Sequence, residues 1–122
     1  MARSPSTLDR LVPGIEIRVL TFSGKEEHRA HLVDSTIEKH GKLDIVVLNA
    51  GMNPYFGPML DTPESSWDKI FDTNVKCGFL LAQKVAPHLR TTKGSMLFVS
   101  SVTAYNPFTA IGAYSVSKTG MT

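Results

Sequence analysis

A single cysteine, Cys77, stands in 122 residues, so no disulfide can close within the chain. Its surroundings, Val75, Phe79 and Leu80, are apolar, and a lone thiol among them reads as a small buried hydrophobe compatible with reducing conditions. No stretch approaches the roughly 20 consecutive apolar residues that a membrane-spanning helix needs. The first fourteen residues, MARSPSTLDRLVPG, lack the apolar run of a secretory signal. Charge is dispersed: 13 basic and 11 acidic residues leave a formal net charge of +2, with no Lys/Arg tract to follow a phosphate backbone. The four histidines, His28, His31, His40 and His88, stand on expected helix faces or ends without a Cys/Asp cluster, so no metal centre is expected. These absences argue against nucleic-acid binding, membrane insertion and a disulfide scaffold.

What is present is ordinary globular composition, 42% hydrophobic and 20% charged, in a length that suits one domain and not two. The expectation is a soluble intracellular protein. Residues 1–14 hold Ser-Pro and Pro-Gly turn signals without periodicity and read as a mobile lead-in. Ile15 to Phe22 alternates and then becomes apolar, as a short strand does. From Lys25 to His40 apolar residues recur at helical spacing, and Lys39-His40-Gly41 is a helix exit. Leu43 to Leu48 (LDIVVL) reads as a strand buried on both faces. Thr62-Pro63-Glu64 offers an N-cap, a proline at N1 and an acid in the first turn, and Trp67 is expected to anchor the short helix that follows. A longer helix through Asn74 to Leu89 would present Val75, Phe79, Ala82, Ala86 and Leu89, with Pro87 kinking or ending it. Ser95 to Ser101 is a second buried-type strand, and a helix starts near Ile111. Strands alternating with helices predict an α/β fold with a parallel sheet.

In open α/β sheets ligands gather at the carboxyl ends of the strands. Those ends carry Asn49-Ala50-Gly51 and Ser100-Ser101, with Asn74 on the helix between and Tyr114 and Lys118 on the last helix. Tyr114 and Lys118 are four apart, hence on one helix face. An ammonium near a phenol favours the phenolate, which suits proton transfer to a carbonyl oxygen. Alone, a Tyr-x-x-x-Lys pair is equally an exposed helix face; the convergence of the five positions is what gives it weight.

Four segments in this order, LDIVVLNAG (43–51), DTNVK (72–76), GSMLFVSS (94–101) and YSVSK (114–118), resemble the short-chain dehydrogenase/reductase family. Ser101 precedes Tyr114 by thirteen positions, the family's usual separation. NPYFG (53–57) further resembles its subgroup of NADP-dependent carbonyl and retinal reductases. The resemblance implies a Rossmann-like doubly wound sheet, an NADP (or NAD) cofactor and a small carbonyl or alcohol substrate. It assigns Tyr114 as proton donor to the carbonyl oxygen and Lys118 to the nicotinamide ribose. Ser101 would orient the carbonyl, and Asn74 would fix a water that links Lys118 to solvent. Asn49, Ala50 and Gly51 would line the cofactor, the glycine allowing close backbone approach. The helix 74–89 would serve a homo-oligomer, and the compartment would be cytoplasmic, peroxisomal or mitochondrial.

One family feature is missing. None of the nine glycines forms a Gly-x-Gly, so the turn that meets a pyrophosphate at a helix N-terminus is absent. The resemblance therefore implies a partial chain, 15–122, lacking the family's first two strands and its C-terminal portion. In strand order 3-2-1-4-5-6, Ile15 to Phe22 would lose its neighbours and Leu43 to Leu48 would have a bare edge, with the first strand displaced or paired with the second. A marginally stable domain is expected, and two functions compete: a carbonyl-reducing oxidoreductase, or an inactive truncated product associating with full-length subunits.

Overall fold

Residues 25–122 are described by the computed structural model of the chain. The expected lead-in 1–14 and the expected strand Ile15 to Phe22 lie outside the described residues. Helix α1 (Glu26–His40) carries Glu26 and Glu27 in its first turn and Lys39 and His40 in its last, each complementing the helix dipole. It stops at Gly41, whose φ of 72° is left-handed and whose N–H donates to the Ile37 carbonyl. Strand β1 (Ile45–Leu48) follows, then a 3₁₀ turn (Met59–Asp61), helix α2 (Glu64–Phe71), a π turn (Asp72–Lys76) and helix α3 (Cys77–Thr92). Strand β2 (Ser95–Phe98), a second 3₁₀ turn (Val102–Ala104) and helix α4 (Gly112–Thr119) complete the order.

The two strands are parallel, pairing Ile45 with Ser95 through to Leu48 with Phe98, so the fold class is the α/β arrangement that the alternating pattern predicts. Helix α3 is the crossover element between them. Its buried residues Leu81, Val85 and Leu89 form one cluster with Val33 of α1 and Leu48 of β1, and Leu32, Ile37, Val46 and Met96 pack around it. The Thr92 hydroxyl donates to the Leu43 carbonyl at 2.6 Å, and the Gly94 N–H donates to the Leu89 carbonyl at 2.8 Å, fixing the turn from α3 into β2.

Several expectations are corrected. The strands are not buried on both faces: Ile45, Val47 and Leu97 are 68%, 53% and 57% exposed, because the core lies on one side and no described element covers the other. Of the expected α3 stripe only Leu89 is buried, Phe79 being 58% exposed and Ala82 and Ala86 half-buried; the buried face is Cys77, Leu81, Val85 and Leu89. That face is itself an apolar stripe at steps of four, and it is the one covered because Val33 of α1 and Leu48 of β1 pack against it. Pro87 does not end the helix, which continues to Thr92 and closes on left-handed Lys93, since proline removes one N–H and leaves the later ladder intact. Pro63, not Thr62, sits at the N-cap of α2, and the Thr62 hydroxyl is buried without a partner. Trp67 stacks on Phe71 with ring centroids 4.5 Å apart and stays partly exposed; Ile70, with no exposed surface, anchors α2.

The one-sided core makes a prediction. Leu81→Ala, inside the cluster, lowers stability by about 2–5 kcal/mol, whereas Ile45→Thr, on the uncovered face, stays within about 0.5 kcal/mol of the parent. Urea unfolding of the two variants reads the contrast.

Candidate active site

Beyond buried Leu48 the chain leaves β1 as Asn49, Ala50, Gly51 and Met52, all exposed. Asn74 reaches this segment from the π turn, where one extra residue per turn re-aims a side chain that a regular helix would place elsewhere. Its Oδ1 accepts the Met52 N–H at 2.8 Å, and its Nδ2 donates to the Met52 carbonyl at 3.1 Å. The second Nδ2 proton goes to the Ser117 hydroxyl at 2.9 Å, and that hydroxyl donates to the Tyr114 carbonyl at 2.7 Å. Asn74 and Ser117 have no exposed surface, so a fully satisfied polar chain runs from the end of β1 to helix α4. For the relay water expected on Asn74, the carboxamide keeps a single Oδ1 lone pair.

The end of β2 is tied to the same helix. Lys118 is 3% exposed and its ammonium donates to the Val99 carbonyl at 2.9 Å. The Ser100 hydroxyl donates to the Lys118 carbonyl at 3.0 Å, and the Thr119 hydroxyl donates to the Ala104 carbonyl at 3.0 Å. Lys118 Nζ lies 5.8 Å from the centroid of the half-buried Tyr114 ring, within cation–π range. Burial holds the Lys118 ammonium below its ordinary pKa of 10.5. Ser101 caps the turn Val102–Ala104, its Oγ accepting the Thr103 N–H at 3.2 Å.

The structure thus bonds Asn74 through Ser117 to the Tyr114 carbonyl, holds Lys118 on Val99 and 5.8 Å from the Tyr114 ring, and sets Ser101 at the end of β2. Asn49 and Ala50 stay exposed at the end of β1, with no side-chain bond to these residues. Sequence reading passed over Ser117, Thr103 and the Met52 backbone. Only Ser117 had a signal, a hydroxyl three residues after Tyr114 and next to Lys118.

A nicotinamide ribose fits these residues. A Cβ on Gly51 would come within 3.1 Å of Lys118 Nζ and 3.8 Å of Asn74 Oδ1, so a bare backbone here keeps open the space beside the ammonium. Lys118 uses one proton on Val99 and has two for ligand hydroxyls. For the pyrophosphate end, the sequence holds no Gly-x-Gly turn.

The short chain dehydrogenase family model matches residues 7–122. Among curated relatives, dehydrogenase/reductase SDR family member 4 from Bos taurus is 39% identical over 127 residues, covering 98% of this chain and 46% of that protein. The chain therefore spans about half the length of the relatives that it matches. Among solved structures, the KRED1-Pglu enzyme is similar with a TM-score of 0.77 at 30% identity, over 80% of this chain and 41% of that one. NAD+-bound xylitol dehydrogenase is similar with a TM-score of 0.75 at 26% identity, over 80% and 38%.

The buried ammonium gives a pH prediction. Because the folded chain releases the Lys118 proton at lower pH than the unfolded chain, stability gains a rising contribution as pH climbs toward 10.5, complete once the unfolded lysine also deprotonates. Urea midpoints measured between about pH 8 and 10.5 show this rise in the parent relative to Lys118→Met, in which it is lost.

Proposed function

The chain belongs to the short-chain dehydrogenase family, and from that premise we propose that it moves a hydride between a nicotinamide cofactor and a small carbonyl or alcohol, with Tyr114 as general acid/base. The observation that carries this reading is the Lys118 ammonium, held on the Val99 carbonyl and 5.8 Å from the Tyr114 ring on the same helix face. When bound, the cofactor supplies or accepts the hydride. Tyr114 gives its phenolic proton to the carbonyl oxygen, and the nearby positive charge stabilises the phenolate left behind. Lys118 binds the ribose hydroxyls with its two remaining protons, and Ser101 orients the carbonyl. Asn74 acts at one remove, holding the Met52 backbone and, through Ser117, the Tyr114 carbonyl in register. Asn49, Ala50 and Gly51 form the wall against the nicotinamide. Residues 15–122 are read as part of one Rossmann-like domain, with NADP or NAD as the cofactor.

The exposed loops beyond the strands favour an apolar substrate. Phe56 and Leu60 precede α2, Tyr105 and Phe108 precede α4, and all four are at least half exposed. The two loops are joined where the Gly57 N–H donates to the Ala110 carbonyl at 3.0 Å, and Met59 packs against Gly112 at the start of α4.

A second reading, association through α3 without catalysis, is favoured by Phe79, a large apolar side chain 58% exposed beside half-buried Ala82 and Ala86. Cofactor binding separates the two: under this second reading the chain binds neither NADPH nor NADH but co-purifies with a full-length relative, and Phe79→Glu abolishes that co-purification.

Titration with NADPH and with NADH, followed by nicotinamide fluorescence and ketone-dependent oxidation, tests the catalytic reading. Tyr114→Phe lowers the ketone-dependent rate about 10²- to 10⁴-fold and leaves cofactor binding intact. An unchanged rate in that variant rejects Tyr114 as the acid.

A further inference from the structure

Capping the turn Val102–Ala104 requires one hydrogen bond to Ser101 Oγ, and the Thr103 N–H supplies it at 3.2 Å. A second donor reaches the same oxygen: Thr103 Oγ1 lies 3.0 Å away. A hydroxyl oxygen has one proton and two lone pairs. The backbone N–H can only donate, so it occupies the first lone pair. Thr103 is 3% exposed, and among the described residues its hydroxyl reaches Ser101 Oγ and no other acceptor, so its proton goes there. Ser101 is half-buried and can give its proton outward.

We propose that Thr103 is a positioning residue that fills both lone pairs of Ser101 Oγ and thereby holds the Ser101 hydroxyl as an outward donor to the substrate carbonyl oxygen. The proposal rests on the carbonyl-reducing reading above and adds a residue to it. Without the Thr103 hydroxyl, Ser101 could rotate its proton away and present a lone pair to an oxygen that is itself an acceptor. With it, one orientation remains, and donation into Ser101 Oγ polarises the outgoing O–H. The turn lies against α4: the Thr119 hydroxyl shares its proton between the Ala104 carbonyl and the Ser115 carbonyl, each at 3.0 Å. The same helix carries Tyr114, so donor and acid are held by one element.

Thr103→Val keeps the shape and the backbone N–H and removes only the second donor. The expected result is a kcat for ketone reduction about tenfold lower with KM within about twofold, the loss of one hydrogen bond. Thr103→Ser restores kcat to within about twofold, and in a Ser101→Ala background Thr103→Val has no further effect. Equal losses in Thr103→Val and Thr103→Ser, or a full loss on top of Ser101→Ala, overturn the proposal. Neutron diffraction from deuterium-exchanged crystals of the parent chain reads the hydroxyls without turnover. Deuterium on Thr103 Oγ1 aimed at Ser101 Oγ supports the assignment; deuterium on Ser101 aimed at Thr103 overturns it. If the neutron map supports the direction while the parent reduces no ketone, the carbonyl reading fails and the hydroxyl assignment stands.

Discussion

The Asn74 carboxamide, without exposed surface, donates two hydrogen bonds and accepts one, and three separate segments meet on it. A buried amide left unpaired costs about 1–3 kcal/mol for each missing partner. The exit of β1, the π turn and helix α4 must therefore arrive together or not at all. Apolar packing alone would let α4 slide along the sheet; the bidentate grip on Met52 and the single bond to Ser117 allow one position.

That position determines the chemistry available. With Ser117 bonded to Asn74 and to the Tyr114 carbonyl, the next residue, Lys118, is directed at the end of β2, where Val99 takes one of its protons. Burying an ammonium disfavours its charged form, so this arrangement trades stability for a cation held close to a phenol. The site is tied together by Ser100, whose hydroxyl donates to the Lys118 carbonyl of α4, and by Thr119 of α4, whose hydroxyl reaches back to the turn after β2. The sheet face with Ile45, Val47 and Leu97 takes no part in it.

The fold was legible where a local pattern carries its own physics. Basic Lys39 and His40 before Gly41 mark the end of α1, because charge and left-handed glycine satisfy the same free carbonyls. The β-branched run Ile45–Val47 marks β1, and the short apolar run Met96–Phe98 marks β2. The candidate site residues Asn74, Ser101, Tyr114 and Lys118 come from motifs whose spacing is readable in one dimension. Legibility failed where burial depends on a partner from elsewhere in the chain. The apolar character of Ile45 and Val47 cannot tell whether one face or two will be covered. The true face of α3 was hidden because the helix carries two apolar stripes, one through Phe79 and Ala82 and one through Leu81 and Val85, and only the packing of Val33 and Leu48 chooses between them. Thr103 and Ser117 are ordinary hydroxyl residues until the turn and the helix place them against Ser101 and Asn74.

By itself the sequence determined the alternation of strands and helices and carried the motifs that resemble the family, since each follows from residue type and local spacing. Tertiary structure alone decided which side chains of those motifs are joined. Hydrogen bonds spanning 22 and 43 positions bind Asn74 to Met52 and Ser117, and contacts of that range form only when packing brings distant segments within about 3 Å.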